Sequence, residues 1–299
     1  MMKMPGQILR QMKRPTPNLH IFAVLAAGIS LCVCAGGAQA AGVPIPHGTV
    51  ELVAENQWIA PGQESTLGLH FQLEKGWHIY WVNPGDSGEP PRVTWQLPAG
   101  LTAGALQWPA PQRMQTSATI VDFGYHDSVL LLVPLRASAA LPGRQPVKIG
   151  AEVRVLVCRE MCIPGKAQVT LTLPVQTNPP APNPAMQKLF ADARKSLPGP
   201  APTGWKFSVE EGKDTFLLRV DTHEQVTQAF FFPLEESQID NAAPQKLDVM
   251  ATGGAKGFRL SLRKSEQLVK RLTRLKGVLA LPAGPSYLVD VPITPGAGK

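Results

Sequence analysis

Two cysteines separated by three residues are the part of this sequence best suited to chemistry. Cys158 and Cys162 stand in the segment Val157–Pro164, whose sequence is VCREMCIP. The other two cysteines, Cys32 and Cys34, lie in an N-terminal apolar run that resembles an export leader. Exported proteins reach an oxidising compartment, where paired cysteines form disulfides. After loss of the leader, a single intramolecular disulfide between Cys158 and Cys162 is expected.

This pair is better suited to thiol exchange than to stabilising a fold. Stabilisation by a disulfide grows with loop length, and even a 15-residue loop gives only about 3 kcal/mol. A disulfide needs Cα atoms about 4.4–6.8 Å apart, whereas four steps of extended strand span ~13 Å, so the chain must bend between the cysteines. A small ring in a bend is easily opened by an attacking thiolate. An inert local clip is the alternative that spacing alone leaves open.

The strand before the pair predicts where Cys158 points. From Val147 to Val157, apolar residues occupy the odd positions and mostly polar residues the even ones, a period of two with one buried face. Cys158 falls on the even, outer face. We therefore expect it outside the main core, under a local cover near Leu156 on the same face.

A metal site at the pair would need more ligands than the sequence offers. Zinc and copper sites require further side chains, and no histidine has ligand spacing to the cysteines. Copper handling by the two thiolates is kept as one hypothesis, and thiol exchange itself requires no cofactor. The histidines considered are His47, His70, His78, His126 and His223.

The composition predicts an all-β fold to position the pair. The chain has 299 residues, of which 44% are hydrophobic and 17% charged, which excludes a disordered tail and a polytopic membrane protein. Its 30 prolines and 27 glycines disfavour a helical bundle. About nine short strands are predicted between Thr49 and Val175, without the helices of a parallel α/β protein. These strands indicate a β-sandwich.

A proline-rich segment separates this block from a second one. Residues 178–184, NPPAPNP, predict a stiff linker with extended rather than packed backbone, and residues 185–196 predict one short helix. A second strand-rich block follows from Trp205 to Ile293. Its clearest predicted strands are Thr215–Val220, Gln228–Phe232, Phe258–Arg263 and Tyr287–Val291. The predicted organisation is a leader (1–40), a first β-sandwich (41–178), a linker with a short helix (179–203) and a second β-sandwich (204–299).

Residues 265–276 predict an amphipathic helix within the second block. Leu268, Leu272 and Leu275 would share one face. The segment and its approach are also basic, which usually marks a solvated face, with docking to an acidic partner or to anionic lipid as the alternative. The basic residues are Arg259, Arg263, Lys264, Lys270, Arg271, Arg274 and Lys276.

The first forty residues predict export. A basic stretch ends at Arg14, an apolar run extends from Leu19 to Ala35, and Ala38-Gln39-Ala40 has the form that signal peptidase accepts. Cleavage is expected near Ala40, leaving no stable membrane anchor. Beyond this leader the chain has 25 basic and 22 acidic residues, so its net charge of +7 does not predict nucleic-acid binding.

Several further segments carry a resemblance to a known family. They include GWHIYWVNPGDSG at residues 76–88, WQLP at 95–98, WP at 108–109 and the cysteine segment itself. Together they resemble the amino-terminal periplasmic domain of DsbD-like thiol:disulfide interchange proteins, in the branch that contains the copper-sensitivity suppressor ScsB. FFFP at 230–233 and AAPQ at 242–245 resemble the second extracytoplasmic β-domain of that branch.

The resemblance implies two immunoglobulin-like domains and an electron relay in the periplasm. A membrane electron transporter would reduce the pair, which would then reduce thioredoxin-like periplasmic proteins. Cys162 would form the mixed disulfide and Cys158 would resolve it. A cap loop over the pair would correspond to about Pro109–Thr119. Candidate cap or shielding residues are Arg113, Met114 and Tyr125.

The resemblance leaves the type of activity open. The resembling proteins also contain an electron-conducting membrane domain and a thioredoxin-like domain, whereas this sequence ends at Lys299. We therefore expect a separate protein to supply the electrons. The chain would act as a protein-disulfide reductase or as a component of thiol:disulfide interchange. The alternative is a non-catalytic periplasmic adaptor whose disulfide is structural.

Overall fold

The computed structural model of the protein describes residues 1–2, 42–142, 145–222, 224–250, 256–282 and 284–296. The predicted leader, its cleavage site near Ala40 and His223 lie outside the described residues, apart from Met1 and Met2. Within the described part of the chain, no helix is long and apolar enough to span a bilayer.

The first block forms two antiparallel sheets. Its strands are β1 (Val43–Ile45), β2 (Gly48–Ala54), β3 (Glu64–Leu73), β4 (His78–Gly85), β5 (Arg92–Gln96), β6 (Leu101–Ala103), β7 (Gln112–Gln115), β8 (Val121–His126), β9 (Ser128–Ala137), β10 (Val147–Cys158) and β11 (Cys162–Leu173). One sheet has the order β1-β2-β3-β9-β6, and the other has the order β11-β10-β4-β8-β7, with β5 paired to β10. Both sheets contribute side chains to one hydrophobic core.

The position of the core explains why buried and exposed side chains alternate along β10. Ile149, Val153 and Val157 are fully buried, whereas Arg154 between them is exposed, so the predicted parity of this strand is confirmed. Trp77 and Trp81, four residues apart, are both buried in the same core. Full burial of such apolar side chains stabilises the fold by about 1.5–3 kcal/mol each.

The segment between the blocks is packed, contrary to the expectation of an unpacked linker. The helix α1 (Gln187–Ser196) confirms the predicted short helix. Its Phe190 is buried with Leu130 and Leu132 of β9. Before the helix, Gln57 donates its backbone N–H to the Ala181 carbonyl at 2.9 Å. Proline makes this segment extended, but its free carbonyl groups still accept hydrogen bonds from Gln57 and Trp58 in the loop between β2 and β3.

The second block is also made of strands. They are β12 (Lys206–Glu211), β13 (Thr215–Thr222), β14 (Phe230–Pro233), β15 (Lys246–Met250), β16 (Lys256–Arg263), β17 (Arg274–Ala280) and β18 (Ser286–Pro295). Their order is β14-β17-β18-β12-β13-β16-β15, and all pairs are antiparallel except β12 with β18. The long strand β18 pairs with β17 through its first part and with β12 through its last three residues. The prediction of an all-β protein with immunoglobulin-like sandwiches is confirmed.

The predicted helix over residues 265–276 is wrong. This segment is irregular, and Arg274 already begins β17. Leu268 and Leu272 still pack against the second core, so the apolar spacing reflects burial without helix formation. Several basic residues here form ion pairs, among them Lys264 and Arg271, which both contact Glu211.

The two blocks share part of their packing. Phe232 of β14 and Val278 of β17 belong to the core of the first block. The ring centroid of Phe232 lies 5.1 Å from that of Phe123 and 6.2 Å from that of Trp81, both edge-on. Asn83 of β4 donates a buried hydrogen bond of 2.8 Å to the Pro233 carbonyl. No described sheet contains strands of both blocks, and the boundaries at 178 and 204 stay predictions.

Candidate redox site

The two cysteines face each other at the turn end of a β-hairpin. Cys158 is the last residue of β10 and Cys162 the first of β11, and they are direct cross-strand partners. They form a disulfide with a Cα–Cα distance of 4.1 Å. The three intervening residues make the turn, closed by a hydrogen bond of 3.1 Å from the Arg159 N–H to the Met161 carbonyl. The predicted bend between the cysteines is therefore present.

The two sulfur-bearing residues differ sharply in exposure. Cys158 is only 2% exposed, whereas Cys162 is exposed. Cys158 lies outside the main core cluster, as strand parity predicts, because its side chain projects to the face opposite the buried Val157. An attacking thiolate from solution would therefore reach Cys162 first.

Tyr80 provides a hydrogen bond to the exposed cysteine. Its hydroxyl lies 3.5 Å from Cys162 Sγ, and it donates, because a disulfide sulfur has no hydrogen. Burial raises the pKa of Tyr80 to about 12, so the hydroxyl keeps its proton across the physiological range. The ring is held against Gly88, where the backbone has φ of +81° and leaves no room for a side chain. Tyr80 was not among the predicted site residues, although it lies inside the GWHIYW segment.

Replacing Tyr80 with phenylalanine is expected to slow alkylation of Cys162 in the reduced protein by about tenfold at pH 7. A hydrogen bond to a charged group contributes about 1.5–3 kcal/mol, and its loss lowers the thiolate fraction. The rate is measured with iodoacetamide by mass spectrometry of the peptide that contains Cys162. In urea, where the site is unfolded, the variant and the parent protein should react equally fast. Equal rates in the folded proteins would contradict this role.

Two histidines extend the site on the other side of Cys158. His78 of β4 is the direct cross-strand partner of Cys158 and also of His126 of β8. The two imidazole centroids lie 5.5 Å apart, edge to face. Burial, with a smaller contribution from His126, lowers the pKa of His78 to about 4. His78 is therefore neutral at neutral pH. Sequence spacing could not reveal this pair, because 80 residues separate His78 from Cys158.

The turn between the cysteines is anchored by a stack of side chains. The Arg159 guanidinium lies 5.2 Å from the centroid of the Trp77 ring, and the His47 ring stacks nearly parallel on Trp77 with a centroid distance of 3.7 Å. Arg159 also pairs with Glu160 at 3.6 Å, so their charges partly offset each other. The arrangement fixes the position of the turn without concentrating positive charge at the sulfurs.

The candidate shielding residues lie on the neighbouring strands β7 and β8. Met114 and Tyr125 are buried, and the Tyr125 hydroxyl donates a hydrogen bond of 2.7 Å to the Pro109 carbonyl. Arg113 donates to the Asn241 carbonyl at 3.2 Å and so contacts the second block. Among the described residues, the side chain hydrogen-bonded to Cys162 is instead Tyr80. A capping role for Arg113, Met114 and Tyr125 stays a prediction.

A groove of about 550 Å³ opens beside the hairpin. Leu156 and Pro164, which are cross-strand partners two residues from the cysteines, form part of its lining. Arg92, Arg154, Lys166 and Glu89 line it as well, so the groove has an apolar strip bordered by charged groups of both signs. Among the described residues, no cluster of three or more His, Cys, Asp or Glu side chains is arranged to hold a metal ion.

A family model and a solved structure are similar to this chain. Residues 49–174 match the family model "Thiol:disulfide interchange protein DsbD, N-terminal". The solved N-terminal periplasmic domain of ScsB from Proteus mirabilis has a similar structure, with a TM-score of 0.59 and 19% sequence identity over 84% of this chain and 94% of that one. This likeness concerns the fold of both blocks. A search among curated proteins finds no significant sequence match.

Other solved structures resemble the chain only weakly. Domains 5–6 of the S-layer protein SbsC give a TM-score of 0.22 at 10% identity, covering 84% of this chain and 99% of that one. The periplasmic chaperone SfaE gives a TM-score of 0.21 at 8% identity, covering 82% and 100%. Scores this low carry no argument about fold or function.

Proposed function

We propose that this protein is a periplasmic thiol–disulfide relay, because residues 49–174 match the model of the DsbD N-terminal family. It receives electrons from a membrane electron transporter and passes them to thioredoxin-like periplasmic proteins. The relay consists of Cys158 and Cys162, and it needs no cofactor.

The observation that carries this proposal is the asymmetry of the pair. Cys162 is exposed at the tip of a hairpin, and Cys158 is buried directly behind it. A relay needs one sulfur that a partner can reach and a second that resolves the mixed disulfide from inside. A structural clip gains nothing from this difference, and a ring of this size contributes little to stability.

The exchange proceeds through two disulfide transfers. When the pair is reduced, the Cys162 thiolate attacks one sulfur of the partner's disulfide, and the partner's other sulfur leaves as a thiolate. Cys158 then attacks Cys162 Sγ, which re-forms the internal disulfide and releases the second partner sulfur. The partner gains two electrons and the pair loses two. The groove beside Leu156 and Pro164 gives the partner a surface to occupy during this exchange.

The reduction potential of the pair tests the proposal. We expect a value above about −300 mV, since structural disulfides typically lie below that limit. The measurement equilibrates the protein with glutathione or dithiothreitol couples and counts free thiols by alkylation. Cys32→Ser and Cys34→Ser are introduced together, so that only the pair is observed.

A value below that limit would contradict the proposal and favour the structural clip of an adaptor. A second readout is the rate at which a reduced thioredoxin-like protein opens the disulfide. The expected reaction is completed within minutes, and the Cys158→Ser/Cys162→Ser double variant should show none. Failure of the parent protein to react would equally count against the relay.

A further inference from the structure

Four side chains form a row across four neighbouring strands of one sheet. Cys162 on β11 opposes Cys158 on β10, Cys158 opposes His78 on β4, and His78 opposes His126 on β8. Directly opposed residues on antiparallel strands project from the same face, with Cβ atoms about 4.5–5.5 Å apart. The disulfide and the two imidazoles therefore lie side by side on one surface of the sheet.

His78 has an unused hydrogen-bonding atom in this row. The residue is 3% exposed, and its Nε2 has no hydrogen-bond partner among the described residues. A buried polar atom without a partner costs about 1–3 kcal/mol, so it requires an explanation. While Cys158 is in the disulfide, its sulfur has no proton to donate. Reduction of the disulfide creates an S–H group on the residue directly opposite His78.

We propose that His78 accepts the proton of the Cys158 thiol when Cys158 resolves the mixed disulfide. This inference rests on the proposed relay function. The Cys158 S–H bond breaks as its proton moves to the neutral imidazole, and the sulfur electron pair attacks Cys162 Sγ. The bond between Cys162 and the partner breaks, and its electron pair leaves on the partner's sulfur. The products are the internal disulfide, an imidazolium at His78 and the partner thiolate.

The surroundings of His78 suit this transient charge. The titratable side chains that face it are Tyr80 on its own strand, Cys158 on β10 and His126 on β8. Among the described residues, this set contains no carboxylate that could stabilise the imidazolium, so its proton is quickly given up. His126 is partly exposed and lies next to His78, which gives the proton a path to solvent.

The test separates the two sulfur transfers in time. The reduced full chain, with Cys32→Ser and Cys34→Ser, is mixed with dithiobis(nitrobenzoate), whose coloured thiolate is released once at each step. The first release reports attack by Cys162, and the second reports resolution by Cys158. His78→Gln should leave the first rate unchanged and slow the second about 100-fold near pH 6.5. The second rate should then rise only near pH 8.5, where an ordinary thiol ionises.

The control variant is His70→Gln. His70 is a partly buried histidine of the first block whose pKa burial likewise lowers, but it lies on β3 against Ser128. Both releases should match the parent protein in this variant. If His78→Gln resolves as fast as the parent protein with the same pH profile, the role of His78 is refuted. If the parent protein itself shows no second release, the relay function fails instead.

A measurement on the unsubstituted histidine covers the case in which His78→Gln does not fold. Nuclear magnetic resonance of the imidazole follows the titration of His78 in the oxidised and reduced proteins. Donation of the Cys158 S–H to Nε2 stabilises the neutral imidazole, so reduction should move the titration midpoint of His78 to lower pH, whereas that of His70 should not move. An identical His78 titration in both states would overturn the proposal.

Discussion

Replacing Cys158 with serine is expected to yield a protein that captures an oxidised thioredoxin-like partner as a stable mixed disulfide. Cys162 stays exposed at the hairpin tip and can attack the partner, whereas the resolving sulfur is gone. The adduct should account for most of the protein on a non-reducing gel and disappear on addition of dithiothreitol. The parent protein should show almost none, because Cys158 resolves the adduct.

The matched variant is Cys162→Ser, which leaves the buried Cys158 as the only cysteine of the pair. Since Cys158 is 2% exposed, its capture of the same partner should fall at least about tenfold. If Cys162→Ser captured the partner and Cys158→Ser did not, the two roles would be reversed. If neither variant captured any thioredoxin-like protein, the adaptor with a structural disulfide would be the better explanation.

Replacing Gly88 with alanine is expected to lower the free energy of unfolding by about 3 kcal/mol. An added Cβ would lie 2.1 Å from Cζ of Tyr80, and the backbone φ of +81° is itself unfavourable for alanine. Tyr80 is 1% exposed and cannot retreat without disturbing its neighbours. Urea unfolding with the disulfide intact measures the loss.

Substitutions at two other glycines separate the cost of the positive φ from the cost of the close contact with Tyr80. Gly62 has φ of +74° but would place its Cβ no closer than 3.7 Å to another atom, so Gly62→Ala should cost only about 1 kcal/mol. Gly199 has no atom within 4 Å of an added Cβ, and Gly199→Ala should change stability by less than about 0.5 kcal/mol. If Gly88→Ala were as stable as Gly199→Ala, the close packing on Tyr80 would be disproved.

The sequence predicted those features of the site that depend on local pattern. The two-residue period of β10 placed Cys158 on the outer face, and the short spacing required a bend before Cys162. Both follow from the geometry of a single strand and its turn. Proline and glycine content likewise indicated strands rather than helices.

Features that depend on pairing between distant strands were not predictable in the same way. His78 and Tyr80 meet the disulfide because β4 pairs with β10 through Cys158 alone, and no periodicity in either segment specifies that register. The error at residues 265–276 has a related origin. Leucines at helical spacing can also be buried in an irregular segment, because here they pack against the second core.

The shared packing of the blocks holds the cysteine hairpin in one position. Phe232 and Val278 are built into the first core, and the segment before the second block is fastened along the first. The hairpin therefore cannot move as a flexible arm relative to the second block. A thiol that attacks Cys162 meets a preorganised surface, so little conformational entropy is lost when the two associate.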